Sequence, residues 1–107
     1  MNTPNPHLGL DSDTADEYAS WFACLADGTR VKILSIIASA GRPMTVGEIV
    51  EVTGRSQSTV SNHIKRLADE RFVITETHGV RTLVSPNPLC MTDLPRAAAA
   101  IMNSSGQ

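Results

Sequence analysis

The residues best suited to hydrogen bonding and ionic contacts lie at positions 55–66, where amide, hydroxyl, imidazole and cationic side chains follow one another closely. Val60, Ile64 and Leu67 recur at the i, i+4, i+7 spacing of one helical face. Such a helix can pack on the protein through its apolar face and offer hydrogen-bonding groups to base edges in the major groove of DNA. The candidate DNA-contacting residues are Arg55, Ser56, Gln57, Ser58, Thr59, Ser61, Asn62, His63, Lys65 and Arg66. The last two are cations near the helix end and suit phosphate contacts better than base reading.

A shorter helix is predicted immediately before this one. Thr45 and Glu48 have the spacing of a capping box, and apolar residues follow at helical intervals. Gly54 can adopt the left-handed conformation of a tight turn, and Ser56 can cap the helix that follows. The range 45–67 therefore predicts a helix-turn-helix.

Two strands are predicted after the second of these helices. Residues 72–77 and 80–84 are rich in β-branched side chains, and His78-Gly79 between them favours a tight turn. A hairpin in this place is typical of a wing that accompanies a helix-turn-helix. Arg81, close to the hairpin tip, is a candidate contact to a phosphate or the minor groove, and His78 is a further candidate at the turn.

Helices are also predicted on both sides of this motif. One is capped by Asp13 or Thr14 and runs to about residue 26, and another covers about 29–40. Two prolines favour an extended connector over 85–88. A last, Ala-rich helix is predicted over 94–102, with Thr92 as its cap and Pro95 in its first turn.

The chain has 107 residues, enough for one domain with one core, and a net charge of −2. Residues 1–27 hold five acids and no Lys or Arg, so the remainder holds nine basic residues against six acids. Local basic charge supplies phosphate contacts, and this mild excess suggests a dimer that pools two binding faces. The chain shows neither a long apolar run nor a signal peptide, so we expect a cytoplasmic protein without membrane contact.

Cys24 and Cys90 are the two cysteines of the chain. The absence of a Cys-x-x-Cys motif excludes a self-contained zinc knuckle, and a structural disulfide is not the default in the cytoplasm. If the thiols pair, two soft sulfur ligands suit linear Hg(II) or an organomercurial, whereas arsenite needs a third thiolate and zinc two further ligands. A reversible disulfide that senses oxidants is one alternative, and two unrelated thiols are another.

The stretch FACLADGTRVKIL at 22–34 resembles the ALADPTRLRIL signature of the ArsR/SmtB family of winged helix-turn-helix repressors. The stretch STVSNHIKRLADERFVITETHGVRTLV at 58–84 resembles the recognition helix and wing of that family. The resemblance implies a mainly α homodimer with a small β-hairpin, in which four helices precede the hairpin and a fifth follows it. It also implies that the first and last helices form the dimer interface, that both cysteines flank this interface, and that operator binding is relieved by an effector.

The chain departs from two metal sites that are common in that family. A Cys-x-Cys often lies on the helix before the recognition helix, where this chain has Val46-Gly47-Glu48-Ile49. Another site uses Asp, His and Glu ligands on the last helix, which has no His here. Both of these sites are absent from this sequence.

We expect a flexible arm at 1–12, one DNA-binding and dimerisation domain at 13–103, and a disordered tail at 104–107. The leading hypothesis is a homodimeric repressor that leaves double-stranded operator DNA when Cys24 and Cys90 capture a thiophilic metal, with Hg(II) favoured over other soft metals or metalloids. One alternative is the same repressor with redox sensing or without a thiol effector. Another is a winged-helix module that binds protein. An enzyme is not expected, because catalytic Ser/His/Asp or Cys/His motifs and a glycine-rich phosphate loop are lacking.

Overall fold

The computed structural model describes residues 5–102, and its elements follow the predicted order. The helices are α1 (Ser12–Cys24), α2 (Gly28–Ser39), α3 (Val46–Thr53), α4 (Gln57–Asp69) and α5 (Pro88–Met102). The strands are β1 (Met44–Thr45), β2 (Val73–His78) and β3 (Arg81–Pro86). The predicted fold class, mainly α with a small β-hairpin, is confirmed. The predicted tail at 104–107 and the first four residues of the predicted arm lie outside the described residues.

The helix-turn-helix is built from the local signals that the sequence predicts. Thr45 caps α3, since its hydroxyl accepts from the backbone N–H of Glu48 at 3.1 Å while the Glu48 carboxylate accepts from the backbone N–H of Thr45 at 2.9 Å. Gly54 ends α3 in the left-handed region, at φ 70°. The hydroxyl of Ser56 then caps α4 by accepting from the backbone N–H of Thr59 at 3.2 Å.

The first two helices differ from the prediction at their ends. Asp11 caps α1 by accepting from the backbone N–H of Thr14 at 2.8 Å, so the helix begins earlier than predicted. It ends at Cys24 instead of continuing to residue 26. The reason lies in the next residues, because the Asp27 side chain accepts from the backbone N–H of Arg30 at 3.0 Å and thereby caps α2.

The three strands form an antiparallel sheet in the order β1-β3-β2. The sequence does not predict β1, which pairs with β3 through Met44 and Val84. The hairpin turn lies one residue later than predicted, at Gly79-Val80, and Gly79 has the positive φ of 63° that this turn requires. The wing is therefore a two-residue hairpin whose second strand is one residue longer than predicted.

The last helix begins earlier than predicted. The prediction of an extended connector over 85–88 is wrong, because these residues belong mostly to β3 and α5. β3 continues into this range, and Asn87 then caps α5 by accepting from the backbone N–H of Leu89 at 3.1 Å. Pro88 occupies the first helical turn, where its missing N–H is not needed. Cys90 therefore lies on α5 and not in a connector.

Pro95 is a second correction within α5. It lies in the helix interior, whereas we predicted that Thr92 caps a helix beginning at Leu94. The Thr92 hydroxyl instead donates back to the carbonyl of Pro88 at 3.5 Å, inside the helix. Because proline has no N–H, the carbonyl of Met91 receives no helical hydrogen bond from position 95.

A left-handed residue joins α4 to the wing. Arg71 has φ 64°, and the backbone N–H groups of Arg71 and Phe72 donate to the carbonyls of Ala68 and Leu67. This is the hydrogen-bond pattern that closes many helices, usually with glycine at the left-handed position. The Asn87 amide donates to the carbonyl of Arg71 at 2.9 Å, so the start of α5 is tied to the end of α4.

The core lies between α2, α3, α4 and the sheet. Its fully or almost fully buried members are Cys24, Ile33, Ile37, Met44, Ile49, Val60, Ile64, Leu67, Phe72, Val73 and Val84. Burial of each large aliphatic side chain contributes roughly 1.5–3 kcal/mol of transfer free energy. This packing fixes the buried face of α4 and so decides which of its side chains point outward.

Candidate nucleic-acid interface and thiol site

The outward face of α4 carries most of the predicted DNA-contacting side chains. Val60, Ile64 and Leu67 are buried, as the periodicity predicts. The exposed residues at the helix and its entrance are Arg55, Ser56, Gln57, Ser58, Ser61, Asn62 and Lys65. This arrangement offers amide, hydroxyl and ammonium groups from one side of a helix, which is what major-groove recognition requires.

Ser56, Thr59 and Arg66 already have intramolecular partners. The hydroxyl of Ser56 donates to that of Thr59 at 2.9 Å, in addition to capping the helix. The guanidinium of Arg66 lies 3.4 Å from the Glu70 carboxylate, four residues along α4. These groups serve the helix itself, so their contribution to DNA binding competes with local contacts.

His63 differs from the other candidates in its surroundings. It is half-buried, and its Nδ1 accepts a hydrogen bond from Nε of Arg30 on α2 at 3.4 Å. The same guanidinium donates to the carbonyl of Cys24 at 2.8 Å. His63 therefore lies where α4 meets the end of α1 and the start of α2, not on the fully exposed face.

A cavity of about 360 Å³ separates the start of α4 from the wing. Gln57 and Ser61 line it from α4, and Arg81 and Thr82 line it from β3. The structure thus brings the predicted wing residue Arg81 to the same groove as two predicted residues of α4. Side chains of both elements can reach one segment of duplex from this groove.

A second cavity, of about 380 Å³, lies on the other side of the helix-turn-helix. Thr29 and Lys32 line it from α2, and Thr53 and Arg55 line it from the turn. Two cations beside hydroxyl groups form a suitable phosphate contact. Lys32 is not among the predicted DNA-contacting residues. The available signal was a cation among the apolar residues of the predicted second helix, and the structure shows that this cation is exposed.

The tip of the wing is exposed. Val80 is fully exposed, and His78 and Arg81 on either side of the turn are also exposed. Nε2 of His78 lies 3.5 Å from a carboxylate oxygen of Glu76. That carboxylate reduces the local positive charge, so Arg81 is the stronger phosphate candidate of the two predicted wing residues.

The two cysteines lie at one corner of the molecule, called here the thiol corner: Cys24, Cys90 and the end of α4 between them. Cys24 is fully buried, and its Sγ donates to the carbonyl of Arg66 on α4 at 3.8 Å. Cys90 is half-buried and packs against the same core. Residues far apart in the sequence thus meet beside the last turn of the recognition helix.

Both thiols are held in their protonated form by their surroundings. Burial raises the pKa of Cys24, and the nearby cations of Arg66 and Arg30 oppose that shift. Burial, the Asp93 carboxylate and the charge of Cys24 raise the pKa of Cys90 to about 11. A ligand that binds them has to displace protons.

A cavity of about 370 Å³ opens beside Cys90. Four of its lining residues are acidic, and Trp21 and Arg71 also line it. The acidic residues of this lining are Glu17, Asp69, Glu70 and Asp93. Their combined negative field favours cations near the thiol.

Within residues 5–102, groups of three or more His, Cys, Asp and Glu side chains that could hold a metal ion are absent. An ion that needs three or four protein ligands therefore has no ready site in the described part of one protomer. None of the helices within residues 5–102 is long and apolar enough to cross a membrane.

The sequence is similar to those of bacterial transcriptional regulators. A family model described as bacterial regulatory protein, arsR family, matches residues 27–75. The chain is 35% identical over 86 residues to a probable mercury resistance operon repressor of Streptomyces lividans, with 80% of this chain and 67% of that protein covered. It is 40% identical over 58 residues to the HTH-type transcriptional regulator KmtR of Mycobacterium tuberculosis, covering 54% of this chain but only 43% of KmtR.

The fold agrees with these relatives. The homodimeric winged helix-turn-helix DNA-binding domain of a possible ArsR-family regulator from Mycobacterium bovis superposes with a TM-score of 0.69 at 20% identity. The superposition covers 100% of this chain and 94% of that domain. The chain belongs to the ArsR family of winged helix-turn-helix, DNA-binding transcriptional regulators.

Proposed function

We propose that the chain is a homodimeric repressor that binds operator DNA through α4 and the wing, and that it leaves DNA when Cys24 and Cys90 capture a thiophilic metal. Hg(II) or an organomercurial is the favoured effector. The observation that carries this proposal is that both thiols pack against the same core, where Cys24 contacts the recognition helix. We expect a repressor of this kind in the cytoplasm, where its operator DNA lies.

The number and type of ligands favour mercury. Two thiols supply two soft sulfur donors, which is the ligand set of linear Hg(II) coordination. The lack of a three-ligand group among the described residues argues against zinc or arsenite within one protomer. The similarity to a mercury resistance operon repressor supports the same choice.

The raised pKa values favour metal capture over redox sensing. A thiol reacts with oxidants through its thiolate, and the pKa of about 11 for Cys90 leaves little thiolate at neutral pH. A strongly thiophilic cation can displace the proton, and the carboxylates around the Cys90 cavity attract that cation. We therefore rank the disulfide mechanism second.

On the DNA side, the proposal assigns base reading to exposed side chains of α4 and backbone contacts to cations around it. Gln57 and Ser61 face the groove shared with Arg81 of the wing. Arg55 and Lys32 lie at the other groove and suit phosphate oxygens. We assign further phosphate contacts at the edges of this surface to His78, Lys65 and Arg66.

The decisive experiment measures DNA binding against Hg(II). The probe is a fluorescent duplex selected from random DNA by the metal-free protein. Wild-type protein should lose affinity when about one Hg(II) per protomer is added, whereas Cys24→Ser and Cys90→Ser should bind the duplex and ignore Hg(II). Met91→Leu is a matched control, since it removes an exposed thioether beside Cys90 and leaves both thiols intact.

Mass spectrometry of the intact protein with Hg(II), Cd(II), Zn(II), arsenite and peroxide separates the effector classes. Hg(II) that stays bound to the wild type in the presence of a competing small monothiol, and is removed from both serine variants under the same conditions, supports the proposal. Release of DNA by Hg(II) from both serine variants would show that the thiols are not the sensor. A loss of two hydrogens with peroxide, accompanied by DNA release without metal, would favour the redox mechanism instead.

A further inference from the structure

One side chain, Arg30, contacts three separate elements near the thiol corner. Its Nη1 donates to the carbonyl of Cys24 at the end of α1, at 2.8 Å. Its Nε donates to Nδ1 of His63 in the middle of α4, at 3.4 Å, and its Nη2 lies 4.0 Å from the Asp27 carboxylate that caps α2. The Arg30 side chain is only 16% exposed. Lysine cannot make the same set of contacts, because it lacks the planar fork of donors.

The contact with Arg30 constrains the His63 ring. A guanidinium has donors and no acceptor, so Nδ1 of His63 must present its lone pair to Arg30. The neutral ring then carries its proton on Nε2. His63 thus keeps one donor nitrogen for a phosphate or base oxygen while its other nitrogen is held inside the protein.

Cys24 reaches the recognition helix by two routes. Its Sγ donates directly to the carbonyl of Arg66, and its own carbonyl reaches His63 through Arg30. His63 and Arg66 are three residues apart and therefore adjacent on one face of α4. A change at the end of α1 consequently acts on two neighbouring points of α4.

We propose that Arg30 is a positioning residue that couples the thiol corner to DNA binding by holding His63 on α4. This inference rests on the proposed function. On effector capture the Cys24 S–H proton passes to water and a sulfur–metal bond replaces it, so Sγ no longer donates to the Arg66 carbonyl. Arg30 then provides the remaining hydrogen-bonded route from the Cys24 residue itself to α4, beside the apolar packing of Cys24 and the hydrogen bond from Ser20 to Glu70, and it transmits a displacement of the α1 end to His63.

The first test uses metal-free protein and the ring nitrogen signals of His63 in NMR spectra. Wild type should show one tautomer, protonated at Nε2 with a hydrogen-bonded Nδ1. Arg30→Lys keeps the charge and should lose the hydrogen-bond shift of Nδ1. A wild-type ring protonated at Nδ1, or identical His63 signals in Arg30→Lys, would overturn the positioning role.

The second test measures coupling as the ratio of duplex dissociation constants with and without Hg(II). In wild type this ratio should lie in the range of about 5 to 150 that is common for allosteric proteins. Arg30→Lys should bind the same number of Hg(II) ions by mass spectrometry, yet its ratio should fall towards 1. His63→Asn, which retains a side-chain acceptor near the position of Nδ1, should keep more of the ratio than His63→Leu.

Arg42→Lys is the matched control, because Arg42 forms an exposed ion pair with Glu48 away from the thiol corner. Its coupling ratio should equal that of wild type. A wild-type protein that ignores Hg(II) would overturn the proposed function and the coupling together. A wild type that responds, with an unchanged ratio in Arg30→Lys, would overturn only the inference about Arg30.

Discussion

At the scale of single residues, Glu48 illustrates a local prediction that the structure extends. The sequence predicts its capping-box contact with Thr45, and the structure adds an ion pair with Arg42. The hydrogen bond from Arg42, then that from the Thr45 backbone, lower the pKa of Glu48 to about 2. Arg42 precedes β1, so this contact depends on how the chain turns into α3.

The lowered pKa of Glu48 predicts a pH dependence of stability. Its ordinary pKa is 4.5, so the folded carboxylate stabilises the protein fully above that value and the contribution is lost as pH falls from about 4.5 to 2. Glu48→Gln should therefore lose stability at pH 7 and show a flatter acid limb between pH 5 and 2. Urea unfolding at several pH values measures this. Glu51→Gln, an exposed change on the same helix, is the control, and parallel acid limbs for Glu48→Gln and wild type would contradict the assignment.

At the scale of elements, we propose that α4 and the start of α2 make different kinds of contact with DNA. Gln57 lines the groove beside the wing, where an amide can pair with an adenine edge. Lys32 and Arg55 line the opposite groove, where a cation can meet only the sugar-phosphate backbone. The two kinds of contact have different experimental signatures.

Gln57→Ala should cost about 1–3 kcal/mol on the preferred duplex and much less on unrelated DNA, because it removes a base contact. Lys32→Ala should weaken binding to all duplexes about equally and lower the slope of log affinity against log salt by about 1. Fluorescence anisotropy at several salt concentrations measures both effects. Equal losses on both kinds of duplex for Gln57→Ala would argue against base reading.

At the scale of the whole molecule, α1 and α5 retain apolar side chains at the surface. Phe22 on α1 is 39% exposed, and Ile101 on α5 is 43% exposed. Leu89 and Met91, at the start of α5 beside Cys90, are also exposed. A second copy of the chain that covers these helices is consistent with the proposed homodimer and would enclose the thiol corner.

Ile101→Glu tests that arrangement. A carboxylate without a partner in an apolar contact should weaken the dimer by several kcal/mol and, by separating the two DNA-binding faces, reduce affinity for the duplex. Sedimentation velocity measures the first effect. Ile74→Glu, an exposed change on the wing, should leave the dimer intact. A dimeric Ile101→Glu would exclude this part of α5 from the interface.

Most of the helix-turn-helix could be predicted from the sequence because its signals act over a few residues. The caps at Thr45 and Ser56, the left-handed Gly54 and the apolar spacing of α4 all depend on neighbours within about one or two helical turns. The turn of the wing was placed to within one residue for the same reason. The candidate surface of α4 followed, since periodicity alone separates its buried and exposed faces.

Tertiary structure decided the features that depend on distant contacts. β1 is two residues long and exists because β3 pairs with it, and α5 begins at Pro88 because Asn87 is held by the carbonyl of Arg71. Composition and spacing carry no information on such pairings, whose free energy arises only after the elements have packed. The sequence by itself therefore determined a DNA-binding class of protein, whereas packing decided that Cys24 contacts the end of α4 and that Arg30 joins the end of α1 to His63 of that helix.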